Sequence, residues 1–172
     1  MDNVSLCARI YSEIIQKDYY LTLEDGNELH IRFDKRNFKH LLGIHKLKDI
    51  HESSLSSAAL YKKALAGDIT EKDLKKSVFY PKIEKRIAAF PDIEKVFGKK
   101  IIVDFNPLLM ESCKLHAEYI LYAEYNEGYI HLSIGNSVNG EFAESFFYER
   151  TKQYLSGQIL LEVVKIEIIQ KK

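Results

Sequence analysis

The hydrophobic period of the chain changes near Lys100, and this change limits the folds that the chain can adopt. Before Lys100, apolar residues recur three and four residues apart, as on one face of an amphipathic helix. After it, β-branched and aromatic residues form short runs separated by Asn, Gly and Pro. Short connections between such runs favour antiparallel neighbours. The pattern therefore predicts an α+β fold, with an antiparallel β-meander and helices packed on one of its faces.

The N-terminal half is predicted to start with a helix and a β-hairpin. Helical spacing of apolar residues predicts a helix over about 3–17. Two alternating runs, 19–23 and 29–33, flank a turn-rich connection and predict the hairpin. Its inward residues would be Leu29, Ile31 and Phe33.

The remaining elements follow from the same two periods and from turn residues. Helical segments are predicted at 54–66, 70–79 and 83–90, with a further turn at 93–97 and a short helix at 108–115. Thr70, with Asp73 three residues on, is predicted to cap the second of these helices. Strands are predicted at 101–105, 117–125, 129–134, 145–151 and 159–169. The turn Asn126-Glu127-Gly128 and the Asn/Gly-rich loop 135–140 predict two hairpins.

Length and charge limit the class of protein. With 172 residues and 46% hydrophobic content, one domain spanning 1–172 is expected. It would combine a helix, hairpin and helical half, about 1–99, with an antiparallel sheet, about 100–170. Because 25 basic and 25 acidic residues cancel, no long-range field marks a nonspecific nucleic-acid or membrane binder. Any site for a polyanion must therefore be local.

The cysteines and the N-terminus predict a cytoplasmic protein. Cys7 and Cys113 lie far apart, lack metal-ligand spacing and require no disulfide, which fits a reducing compartment. Charges interrupt the first 17 residues, and no later run reaches membrane length. No membrane association is expected, and the oligomeric state stays open.

Histidines and cations are concentrated in the segment 33–46. Asp34 can cap a short helix and Gly43 can end it, which would place Arg36 and His40 one turn apart on the same face. His45 and Lys46 follow in the exit loop. Such a surface could bind a phosphate and move protons at neutral pH, or it could be a solvated basic face.

The common catalytic motifs are missing from the sequence. It contains no His-Glu-x-x-His pattern, no cysteine/histidine knuckle, no glycine-rich nucleotide loop and no Gly-x-Ser-x-Gly turn. Neither a metal site nor a cofactor is therefore predicted. What remains is a set of histidines, cations and hydroxyls. These suffice to cleave RNA, since that reaction needs a base, an acid and a cation beside the phosphorane.

One motif carries a resemblance to a known family. The segment from Phe33 to Ile44, with His40-Leu41-Leu42-Gly43, follows a hairpin and precedes the distant Glu144-Ser145-Phe146-Phe147. It resembles the phage-associated barnase/EndoU/colicin/RelE-like nuclease families, in particular the group with a His-Leu-x-Gly motif. The resemblance covers about residues 19–169. It implies origin in a phage or mobile element, a helix-plus-meander fold and metal-independent RNA cleavage by attack of the 2′-hydroxyl.

The resemblance and the local chemistry together suggest site residues. His40 matches the motif histidine and Ser145 the strand serine, so His40 would act as acid or base and Ser145 would contact the phosphate. His45 is a third catalytic candidate, on local chemistry alone. The candidates for substrate binding are Arg36, Lys46, Tyr148, Arg150 and Lys152.

A structural interpretation of the same residues stays open. His40 could only cap or pack at the helix end, and Ser145 could be satisfied by the backbone. The protein would then be a non-catalytic interaction module of the same fold that binds a host factor. RNA, a host factor and an immunity protein are accordingly the candidate partners. The two functions differ in whether His40 and Ser145 meet in one cleft.

Overall fold

A computed structural model describes all residues, 1–172. The helices are α1 Asn3–Ile14, α2 Phe38–Leu41, α3 Ser57–Ala66, α4 Glu71–Leu74 and α5 Glu84–Ala89. The strands are β1 Lys17–Leu23, β2 Glu28–Ile31, β3 Ile101–Asp104, β4 Tyr119–Tyr125, β5 Gly128–Ser137, β6 Gly140–Glu149 and β7 Ile159–Gln170. Single 3₁₀ turns connect several of the helices. The predicted α+β class is confirmed.

All seven strands form one antiparallel sheet with the order β2-β1-β7-β3-β4-β5-β6. β3 to β6 make a meander in which the two predicted hairpin turns join β4 to β5 and β5 to β6. β7 does not follow β6 in the sheet. It returns to the middle and pairs with β1 on one side and β3 on the other. The N-terminal hairpin and the meander thus share one sheet.

The two end strands of the sheet approach each other at one corner. Just after β2, the Arg32 N–H donates to the Glu141 carbonyl (3.4 Å), and the Ala143 N–H donates to the Arg32 carbonyl (3.0 Å). This contact brings the chain that leaves β2, including α2, against β6. The position matters because α2 carries His40 and β6 carries Ser145.

The main core lies between one face of the sheet and the helices. It contains 38 buried residues, with α1, α2, α3 and α5 all contributing side chains. Helices therefore cover one face, as predicted. On the opposite face, a smaller cluster is formed by Val103, Phe105, Ile120, Tyr122 and Leu155. No helix is both long enough and apolar enough to span a membrane.

Local signals decide where the short helices begin and end. The Asp34 side chain accepts from the backbone of a 3₁₀ turn that leads into α2, and Gly43 ends that segment with a left-handed φ of 75°. Thr70 and Asp73 form the predicted capping box of α4. The predicted helix 70–79 nevertheless stops at Leu74. After Leu74, the N–H groups of Lys76 and Ser77 donate to carbonyls three residues back, and the Val78 N–H donates to the Asp49 carboxylate (2.8 Å).

Candidate functional site

A pocket of about 570 Å³ lies where α2, α5 and the edge strand β6 meet. Five cationic side chains line it: Lys46, Lys82, Lys85, Arg86 and Lys114. Two carboxylates and three histidines join them: Glu144, Glu149, His40, His45 and His116. A chain with no net charge thus concentrates positive charge at one place, which suits an anionic ligand.

Five of the eight candidate residues line this pocket. They are His40, His45, Lys46, Ser145 and Tyr148. His40 and Ser145 share the pocket because the contact between the end strands holds the segment after β2 against β6. Sequence alone gave no distance between them.

The other three candidates lie outside the pocket. Arg36 turns back to its own helix cap, with its Nε 2.9 Å from Asp34 Oδ1. β6 ends at Glu149 and the chain then bends, so Arg150 and Lys152 are exposed beyond the strand. Lys152 Nζ lies 5.9 Å from the centre of the Tyr129 ring. Three of the five pocket cations, Lys82, Lys85 and Arg86, come instead from α5 and the turn before it.

The two histidines of the pocket are in contact. The ring centres of His40 and His45 are 4.2 Å apart, and the planes are tilted by 34°. Burial, with the nearby charges of Lys39 and Arg86, lowers the pKa of His40. Burial and the neighbouring positive groups lower the pKa of His45 to about 4. Its Nδ1 is buried without a hydrogen-bond partner. His45 is therefore neutral at neutral pH and packs against His40.

Arg86 is a buried cation that no acidic side chain pairs. Its side chain is only 6% exposed, its Nη1 donates to the His40 carbonyl (3.3 Å), and its Nε has no partner. Burial lowers the pKa of Arg86 to about 10. Keeping an unpaired charge out of water is costly. A bound anion in the pocket would supply the missing partner.

Glu144 enters the pocket through an irregularity in β6. The register shifts between Ser133, which pairs with Ser145, and Ile134, which pairs with Ala143, so Glu144 is the extra residue of a β-bulge. Its Oε2 is buried without a hydrogen-bond partner. Burial raises the pKa of Glu144, and His116 opposes that shift. The bulge thus places a carboxyl group of increased basicity beside the histidines.

Ser145 has different contacts for its backbone and its side chain. The Ser145 carbonyl accepts from Ser133 Oγ (3.3 Å), which ties the strand to β5. Ser145 is among the residues that line the pocket. A hydroxyl there can donate to a phosphate oxygen.

Arg86 and Glu144 were missed at the level of sequence, where only Arg86 leaves a local signal. Arg86 lies between Ile83 and Ile87 on the apolar face of a helix, where a cation is unusual. In β6, Ala143 and Phe146 are both buried although they are three residues apart, which breaks the period of two. Such a break in the burial pattern marks the β-bulge that contains Glu144, and it is visible only in the folded structure.

The donor groups do not form an evident metal site, since no group of three or more His, Cys, Asp or Glu side chains is arranged to hold an ion. The fold and the pocket define an α+β protein with a basic, histidine-containing cleft at a sheet edge. Comparison with family models matches residues 3–169 to the family described as phage-Barnase-EndoU-ColicinE5/D-RelE like nuclease 4. The chain belongs to this family. No curated protein and no solved structure matches it.

Proposed function

We propose that this protein is an endoribonuclease that cleaves RNA by attack of the 2′-hydroxyl on the adjacent phosphate, using side chains alone. The observation that carries the proposal is Arg86, a buried guanidinium without an acidic partner at the floor of a cationic pocket. A phosphodiester is the anion that membership of a nuclease-like family suggests. Guanidinium groups bind it with directed hydrogen bonds.

Two groups are available for proton transfer. Glu144 is the proposed base for the 2′-hydroxyl, because its raised pKa makes it a stronger base than an exposed carboxylate. His40 is the proposed acid for the leaving 5′-oxygen. The lowered pKa of free His40 opposes that role, but a bound phosphate adds negative charge and favours the imidazolium.

The other pocket residues would stabilise and position the substrate. Arg86 and Lys46 offer positive charge to the developing phosphorane. The Ser145 hydroxyl would donate to a phosphate oxygen. His45, neutral and packed against His40, is a positioning residue that would fix the orientation of the His40 ring.

A second candidate function is supported by the uncovered part of the sheet. Leu160 and Ile169 of β7, which lie on the face away from the helices, are 46% and 50% exposed. They lie near the two ends of β7 with charged residues between them, so each would contact a partner as a separate apolar side chain. A non-catalytic module that binds a host factor would use this face and would not need the pocket.

Incubation of labelled total RNA and transfer RNA in EDTA tests the first function. The wild type should produce fragments with 2′,3′-cyclic phosphate ends, and His40→Ala purified in the same way should produce none. His51→Ala, which removes an exposed histidine outside the pocket, is the matched control and should cleave normally. Intact RNA at a large excess of wild-type protein, or equal cleavage by His40→Ala, would contradict the proposal.

A further inference from the structure

A second recess adjoins the basic pocket and shares two of its walls. It has a volume of about 410 Å³ and lies between α5 and the turn that joins β4 to β5. Its lining residues are Lys85, Ala88, Tyr125, Asn126, Glu127 and Tyr148. Lys85 and Tyr148 also line the basic pocket. A ligand can therefore occupy both spaces at once.

Aromatic rings form the walls of this recess. The Tyr125 and Tyr148 rings are 6.3 Å apart and nearly perpendicular, at 78°. Lys85 Nζ lies 5.3 Å from the centre of the Tyr148 ring. A flat ligand can stack on a ring here while its anionic part reaches the ammonium group.

The backbone of the turn holds Tyr148 in place. A Cβ atom at Gly128 would lie 2.7 Å from the Tyr148 hydroxyl oxygen and 2.8 Å from Cζ. Only glycine lets the ring lie this close to the main chain. Tyr148 is thus fixed between the core and the turn rather than free at the surface.

The same turn presents polar groups at the rim of the recess. Asn126 has a left-handed φ of 51°, and both Asn126 and Glu127 are exposed. An amide can donate and accept hydrogen bonds, and a carboxylate accepts them. The recess thus combines stacking surface with groups that can recognise the edge of a heterocycle.

We propose that this recess binds one unpaired nucleobase next to the phosphate that the basic pocket holds. The base would lie against Tyr148 with its edge towards Asn126, and Lys85 would contact the linking phosphate. A base must leave a duplex to stack in this way, so the substrate is single-stranded at this nucleotide. The inference rests on the proposed function for the presence of RNA, but it concerns binding and not cleavage.

Binding of small ligands tests the subsite separately from catalysis. The affinities of the 3′- and 5′-monophosphates of the four nucleosides are measured by calorimetry and compared with ribose 5-phosphate. We expect either the 3′-monophosphates or the 5′-monophosphates to bind about tenfold more tightly than ribose 5-phosphate. Tyr148→Leu, which keeps an apolar side chain against the core, should remove most of that advantage. Its affinity for ribose 5-phosphate should change less than twofold.

Two further variants sharpen the test. Asn126→Gly keeps the left-handed turn, and it should reduce discrimination among the four bases while stacking remains. Tyr20→Leu, in a different recess of the sheet, is the control and should bind as the wild type does. Equal losses of nucleotide and ribose 5-phosphate affinity in Tyr148→Leu would overturn the subsite. If nucleotide binding depends on Tyr148 but the protein does not cleave RNA, the proposed subsite is supported and the proposed nuclease activity is contradicted.

Discussion

The guanidinium of Arg86 lies directly against the main chain of Gly43. A Cβ atom at residue 43 would be 2.8 Å from Arg86 Nη1 and 2.9 Å from Cζ. Gly43 also has a left-handed φ of 75°. Gly43 therefore ends the helical segment that carries His40, and its missing side chain leaves the space that the Arg86 guanidinium occupies.

Gly43→Ala should destabilise the protein more than an ordinary glycine replacement does. The left-handed backbone alone costs roughly 1–2 kcal/mol with a Cβ atom, and the contacts with Arg86 and with Ile83 Cγ2 (2.9 Å) add about 1–3 kcal/mol of overpacking. Gly67→Ala is the matched control, since Gly67 has a φ of 83° and nothing within 4 Å of its Cβ position. The free energies of unfolding from urea titrations give the comparison. Equal losses for the two variants would mean that Arg86 and Ile83 both move aside without cost.

Arg86→Met should separate ligand binding from stability. In buffer without anions, its free energy of unfolding should equal or exceed that of the wild type, because a buried and unpaired charge is removed. Added phosphate should stabilise the wild type by mass action and leave the variant unchanged. Urea titrations at several phosphate concentrations measure both effects. A loss above about 2 kcal/mol without phosphate would instead assign Arg86 a structural role.

The pH dependence of cleavage should be bell-shaped, with its maximum on the acid side of neutrality. Glu144 must be ionised to accept a proton, and its pKa lies above the ordinary 4.5. His40 must be protonated to donate one, and its pKa lies below the ordinary 6.5. kcat/KM reports the free protein and should therefore be largest between these two limits. The alkaline limb of kcat should lie at higher pH, because bound phosphate stabilises the His40 imidazolium.

Glu144→Gln should remove the acid limb of that profile and lower kcat about 10²- to 10⁴-fold. Glu149→Gln also changes a carboxylate of the pocket and serves as the control, with the acid limb retained. An unchanged acid limb in Glu144→Gln would identify another group as the base.

His131 should make the protein acid-sensitive. It is fully buried, neither ring nitrogen has a hydrogen-bond partner, and its ring stacks on Phe147 at 4.7 Å. Burial lowers the pKa of His131 from 6.5 to about 4. Below pH 6.5, His131 becomes protonated in the unfolded chain, whereas in the folded chain it stays neutral down to about pH 4. The free energy of unfolding should therefore fall over this interval, by about 3 kcal/mol from His131.

His131→Phe checks the source of that loss, because phenylalanine can keep the stack and does not titrate. Its free energy of unfolding, measured by urea titration from pH 7 to pH 4, should decline by about 3 kcal/mol less than that of the wild type. His51→Phe, at an exposed position, should decline as the wild type does. Parallel curves for His131→Phe and the wild type would contradict the assignment.

Local chemistry was enough to predict the elements whose signals lie within a few residues. The caps at Asp34 and Thr70 and the turn at Gly128 were predicted because each satisfies backbone groups nearby. The length of the helix after Thr70 was not predictable. Beyond Leu74 the chain contacts a residue that is distant in sequence, since the Val78 N–H donates to the Asp49 carboxylate.

The site was less predictable than the fold. The motif predicted His40 and Ser145, which both line the pocket, but Arg150 and Lys152 were chosen as if β6 continued past Glu149, where the strand in fact ends. The charge at the floor of the pocket comes from Arg86 on α5, which no local pattern connects with β6.

The sequence by itself determined the α+β class, the hairpins and the segment that carries His40, because periodicity, caps and turns act over a few residues. Tertiary structure decided which of these parts meet. The central position of β7, the contact between the two end strands and the bulge at Glu144 follow from long-range strand pairing. The pairing of distant segments produces no recognisable pattern in the sequence of either segment alone. A cleft built from α2, α5 and β6 therefore became visible only in the folded chain.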